Sequence, residues 1–211
     1  MNGRRTALTG AIVGLGLGTP TVSAAPPPPA SAFEQAYRAG KAAPDERAAR
    51  QHFQHGIDLA RGELARRPDA PDALLWAAAN LAEEALTHGK FQALRVIPQV
   101  EATLLRLEQV SPTYDHAAAA RALGNLYWKA PAIISIGSSK KATHYFQLAL
   151  ARDPTFPGNQ AMAAAYFASS RDCARARPLA LAVAGRADLE SLSPDAAEWR
   201  RLAAEVLRDC R

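Results

Sequence analysis

The chain has 211 residues, 25 of them Lys or Arg against 20 Asp or Glu, for a formal net charge of +5 with 48% hydrophobic residues. That size suits one domain with a continuous core or a short helical array. The charge excess is small and its signs are interleaved, which argues against nucleic acid as a partner.

Residues 1–24 read as a secretion signal, because Arg4 and Arg5 precede an apolar stretch from Ala7 to Leu17 that ends in Val22, Ser23 and Ala24. The apolar part falls well short of the roughly 20 residues that span a bilayer. The paired arginines raise twin-arginine export, but Ala7 stands where that signal carries a large apolar residue, so ordinary secretion is the expectation. The first cysteine is Cys173, which leaves no acceptor for a lipid anchor beside the leader. The expected product is periplasmic or secreted, soluble and without a lipid anchor. Gly14, Gly16 and Gly18 imitate a phosphate loop only in spacing, since they lie in the leader and precede no folded helix.

Residues 25–31 contain four consecutive prolines and read as an extended tether before a single helical domain over residues 32–211. From there helical patterns alternate with proline-marked breaks, and strand signals are nearly absent. A short helix is expected to Ala42, with Pro44 in the first turn of the next. That second helix carries Ala49, Phe53, Ile57, Ala60 and Leu64 on one face and stops before Pro68. Pro71 opens a third, with Leu74, Leu75, Ala78, Leu81, Ala82 and Ala85 inward, and Gly89 ends it. A fourth, residues 90–110, contains Pro98 and is expected to kink or break near Ile97. Ser111-Pro112 and Ser193-Pro194 read as helix starts, a serine cap followed by proline in the first turn. Ser138 or Ser139 starts another helix, which Asp153-Pro154 ends.

Within this second half, Leu123-Gly124-x-x-Tyr127 followed by Ala142-x-x-x-Phe146-x-x-Ala149 and Pro154 has the order of a tetratricopeptide unit. A step of 34 residues places Ala163, Ala164, Phe167 and Ala176 at the small and aromatic positions of a second unit. The expected fold is all-α, an irregular tetratricopeptide-like array of antiparallel helical hairpins with about nine helices. If the last two helices fold back on each other around Ser191, Cys173 and Cys210 meet at their open end, and a structural disulfide is expected.

Converging polar groups are scarce, so no enzyme, cofactor or metal is indicated. His52 and His55 stand three apart without a third ligand, and Glu83-Glu84, Asp69 and Asp72 suit helix surfaces and starts. Trp76, Trp128 and Trp199 fall on separate helices, where core positions are the expectation. Residues 130–137 stand apart. They hold Pro131, Ile133, Ile134 and Ile136 and add about six residues to what a minimal unit needs. Such apolar content in a connection is expected to be buried, either plugging the groove of its own domain or lining a cavity or partner surface.

Ala122-Leu123-Gly124-Asn125-Leu126-Tyr127, Ala130-Pro131, the Gly137-led start to Ala142 and the close Asp153-Pro154-Thr155-Phe156-Pro157-Gly158-Asn159 together resemble the T-component family of TRAP-type transporters over residues 111–170. The resemblance implies a periplasmic repeat protein that accompanies a solute-binding protein and holds an apolar small ligand in a central pore, in a family whose members are often lipoproteins and form homo-oligomers. It implies Tyr127, Trp128, Pro131, Ile133, Ile134 and Ile136 as candidate pore or ligand lining. The chain departs from the family in lacking a cysteine for lipidation. A general cell-envelope scaffold that binds another envelope protein is the alternative reading.

Overall fold

The computed structural model describes residues 30–193 and 195–211. The expected secretion signal and most of the proline-rich tether lie outside the described residues. Among the described residues ten helices run in order: α1 Ala32–Lys41, α2 Glu46–Arg66, α3 Pro71–Leu86, α4 Lys90–Val110, α5 Tyr114–Lys129, α6 Ser139–Arg152, α7 Pro157–Ser169, α8 Cys173–Ala184, α9 Leu189–Leu192 and α10 Ala196–Asp209. Among the described residues there is no strand. Each helix from α1 to α7 packs on the next, and α10 returns to lie against both α7 and α8. The fold is an all-α array of helical hairpins, and the helix beyond the expected nine is the single turn α9.

Local chemistry explains most of the boundaries. Ser31, Asp45, Ser138 and Asp172 each cap a helix by accepting from the backbone N–H three residues on, at 2.8 to 3.3 Å. Pro71 and Pro157 occupy first turns, where a missing N–H costs nothing. Pro44 does not, because the Asp45 carboxylate can accept from Ala48 N–H and so takes the cap, leaving proline outside the helix. Gly89 serves the start of α4 rather than the end of α3, with φ of 96° that few other residues adopt.

Two further proline expectations are corrected, a break at Pro98 and a helix start at Ser111. Helix α4 runs unbroken across Pro98, whose ring lies on the exposed side while Ile97, Val100, Leu104 and Leu107 form a buried stripe. Packing along that stripe offsets the lost hydrogen bond to the Leu94 carbonyl. Ser111 does not start α5. It ends α4, its N–H donating to Leu107 O, and Thr113 precedes a left-handed turn with φ of 44°, 57° and 62° at Asp115, His116 and Ala117.

The core is made of close crossings. A Cβ on Gly124 would stand 2.9 Å from the fully buried Phe146 ring, and one on Gly158 would stand 2.6 Å from Trp199. Ala142, Phe146, Ala149, Ala163, Ala164, Phe167 and Ala176 are all buried. Asn80, also buried, donates to Phe33 O at 3.3 Å and so ties α1 to α3.

Cys173 and Cys210 are joined in a disulfide with Cα atoms 5.3 Å apart, at the start of α8 and the end of α10. The bond closes a separation of 37 residues, which the chain-entropy description values at about 4 kcal/mol. A Cys173→Ser/Cys210→Ser variant should lose about 2 to 4 kcal/mol in urea unfolding while keeping its helicity. Gly124→Val should cost about 1 to 3 kcal/mol by the same assay, because the Phe146 ring has no free space to yield.

Candidate functional site

The insert between α5 and α6 is a tight loop. Ser138 N–H donates to Tyr127 O at 3.0 Å across its base, and Gly137 lies so near the Ala130 carbonyl that a Cβ would come within 2.0 Å of it. Doubled back on itself, the loop cannot tuck its tip between the helices. Ile133 is 97% exposed and Ile134 68% exposed, while Ile136 at the returning end packs on the main core. Within its own chain the insert is therefore buried at Ile136 and exposed at its tip.

Its flanking aromatics belong to the interior. Tyr127 is buried and donates to the Glu101 carboxylate, with the Lys141 ammonium 4.5 Å from its ring centroid. Burial, then the bond to Glu101 and its charge, push the Tyr127 phenol well above its ordinary range. Trp128 is half-buried and meets Phe146 and Tyr166 edge-on at 6.4 and 6.0 Å. Of the six candidate residues, Pro131 lines an adjacent cleft, Tyr127, Trp128 and Ile136 stabilise the packing beneath it, and Ile133 and Ile134 project outward.

That cleft holds about 400 Å³ between the end of α3, the first half of α4, the end of α5 and the start of the insert. Leu86, Leu94, Val96, Ile97, Leu126 and Pro131 make its walls apolar, with Lys90 and Lys129 at its edges. A second cavity of about 220 Å³ has Tyr37, Trp76, Glu83, Arg121, Asp195 and Trp199 among its lining. Ala82, Val100, Asn125 and Leu126 line both, so the two are halves of one groove, apolar at one end and more polar at the other. Tyr37 OH donates to Asp195 Oδ1 at 3.2 Å, bringing residues 158 apart together at the polar half. Burial, then the charges of Asp195 and Glu83, raise the Tyr37 phenol well above its usual value.

Beneath the groove lies a polar cluster that the sequence pattern did not single out. The Arg121 guanidinium donates to Asn159 Oδ1 at 3.0 Å and to the Asp115 and His116 carbonyls at 3.5 and 3.3 Å. Asn159, fully buried, donates in turn to the His116, Ala149 and Asp153 carbonyls. These bonds satisfy the backbone of the left-handed turn and explain how three non-glycine residues are held there. His116 stacks on Phe156 at 4.1 Å and bonds Asp153 at 2.7 Å. A single arginine after Ala117–Ala120 was the available signal, since a lone charge within an alanine run needs a partner. His52 and His55 are both exposed on α2.

No family model matches the chain, and no curated protein matches it.

Partial burial works to raise the Asp153 carboxyl, but hydrogen bonds from His116 and Thr155 prevail and hold it below its ordinary value of 3.8. With the folded value depressed, the stabilisation is complete above the unfolded value and is lost as pH falls through both. Stability of the native protein should therefore decline below about pH 4 more steeply than that of Asp153→Asn, measured by urea unfolding at stepped pH.

Proposed function

We propose that this protein is an exported binding component built from tetratricopeptide-like helical hairpins, which holds an apolar ligand in the cleft beside its α5–α6 insert and serves as an accessory of a TRAP-type solute uptake system. One observation carries the reading: an open apolar cleft of about 400 Å³ walled by Leu86, Leu94, Val96, Ile97, Leu126 and Pro131. Such a concave, largely apolar space with few polar groups is what small apolar ligands occupy. The resemblance over residues 111–170 supports the transport setting, and the partner it implies is a periplasmic solute-binding protein. The reading assigns the protein no catalytic step.

A second reading is favoured by the continuation of the groove beyond the apolar cleft. Its other half, with Asp195, Glu83 and Asn125 in its lining, adds polar groups that a polypeptide segment would meet, as on a cell-envelope scaffold.

Native mass spectrometry of the protein taken from its own envelope separates the two. The expected result is a bound apolar molecule of small mass, lost in Ala93→Trp, which fills the cleft from the half-buried side of α4 while circular dichroism stays unchanged. A bound polypeptide in place of the small molecule would transfer the assignment to the scaffold, and an empty wild-type cleft would refute ligand carriage.

A further inference from the structure

The end of the array where α3 passes to α4 and α5 passes to α6 joins two features that are kept apart elsewhere on the surface. The first is exposed apolar bulk: Ile133 at 97%, Phe91 at 84%, Ile134 at 68% and Leu86 at 52% exposure. The two isoleucines stand at the tip of a loop held taut by the Ser138 to Tyr127 bond and the Gly137 approach, so their exposure does not come from slack chain.

The second feature is lysine. The chain has five, Lys41, Lys90, Lys129, Lys140 and Lys141, against 20 arginines. Four of the five lie at this end, with Lys90 opening α4, Lys129 closing α5, and Lys140 and Lys141 in the first turn of α6. Lys141 is paired with Glu101 at 3.5 Å. Among the described residues Lys90, Lys129 and Lys140 make no ion pair, and neither does Arg95 nearby on α4, although the Lys129 ammonium lies over the Trp128 ring at 3.5 Å. The neighbouring carboxylates are already engaged, Glu84 by His88 and Glu101 by Tyr127 and Lys141. On other surfaces arginines alternate with acids in pairs such as Arg61 with Asp58, Arg186 with Asp188 and Arg201 with Glu205.

We infer that this end docks on the surface of an anionic phospholipid bilayer, Ile133 and Ile134 entering the interface while Lys90, Lys140 and Arg95 meet the headgroups. Long lysine stems can lie along apolar material and keep the ammonium among phosphates, which a collar around an apolar tip requires. Two isoleucines alone give marginal insertion, and the unpaired cations supply the electrostatic share that makes it stable on anionic lipid. A protein partner is the poorer match, because lysine is depleted at protein interfaces, where arginine and aromatic residues dominate. Lys90, Lys129, Leu86 and Pro131 also border the apolar cleft, so docking in this way brings the cleft to the bilayer. The inference stands without the proposed ligand, since it rests on residues of the outer surface.

The test is flotation of the chain expected after leader removal, residues 25–211, with vesicles of phosphatidylglycerol and phosphatidylcholine or of phosphatidylcholine alone. Starting at residue 25 removes the apolar segment at 7–17 from the measurement. The protein should float with the anionic vesicles and be released by high salt. Lys90→Gln and Lys140→Gln should each weaken binding about fivefold, and Ile133→Asp/Ile134→Asp should weaken it by about a hundredfold or more. All four side chains are exposed, and unchanged circular dichroism confirms that the variants fold. No flotation on anionic vesicles, or flotation that the isoleucine variant leaves intact, would overturn the inference. So would a salt-resistant dimer that disappears in the isoleucine variant without any vesicle binding, since the tip would then be a protein interface.

Discussion

Everything in this fold depends on how closely its helices can approach, and that is set by small residues where they cross. Ala117 to Ala120 and Gly124 on α5, and Gly158, Ala161, Ala163 and Ala164 on α7, put no bulk between neighbours. The space is filled from one side only, by Phe146 over Gly124, Trp199 over Gly158 and Phe53 over Gly40. Interiors packed this tightly tolerate little added volume. The same closeness decides where the insert goes. With α5 and α6 in direct contact along their length, nothing between them can receive residues 130–137, and the loop is extruded with its isoleucines outward.

The polar interior follows from the same geometry. Close approach at the start of α5 is achieved by a left-handed turn instead of a serine cap, and the turn's carbonyls need partners away from water. Arg121 and Asn159 provide them from two different hairpins, locking α5 to the α6–α7 corner. Burial pulls the Arg121 guanidinium below its usual range, while Asp115, Asp195 and Asp153 hold its charge in place. One of these, Asp195, also receives Tyr37 from α1, so the first and last parts of the array respond to the same cluster of charges.

Much of the architecture was legible because it is written in local signals. Caps such as Ser138, first-turn prolines such as Pro71, and the spacing of Ala142, Phe146 and Ala149 depend on neighbours a few residues away. The disulfide was legible for a related reason, since one antiparallel pair brings Cys173 and Cys210 together by symmetry about a single turn. The break expected at Pro98 does not occur, because its cost is local while its compensation, a buried stripe against α3 and α5, is tertiary. The start of α5 was misread for the same reason: Ser111-Pro112 has every local mark of a cap, and the winning contacts come from Asn159, 43 residues beyond His116. The candidate site was half legible. The insert stood out by its length and apolarity, but whether Ile134 points inward or outward is set by helix separation, which periodicity does not encode.

The return of α10 onto α7 and α8 has a consequence for assembly. In a stacked helical array each hairpin presents an apolar face to its successor, and the last one is left open to any further copy. Here α10 covers the face that α7 and α8 present, burying Trp199, Leu202, Ala203 and Val206, and the Cys173–Cys210 bond fastens it there. That face is thereby closed within the chain, and another copy has no template on it for head-to-tail stacking.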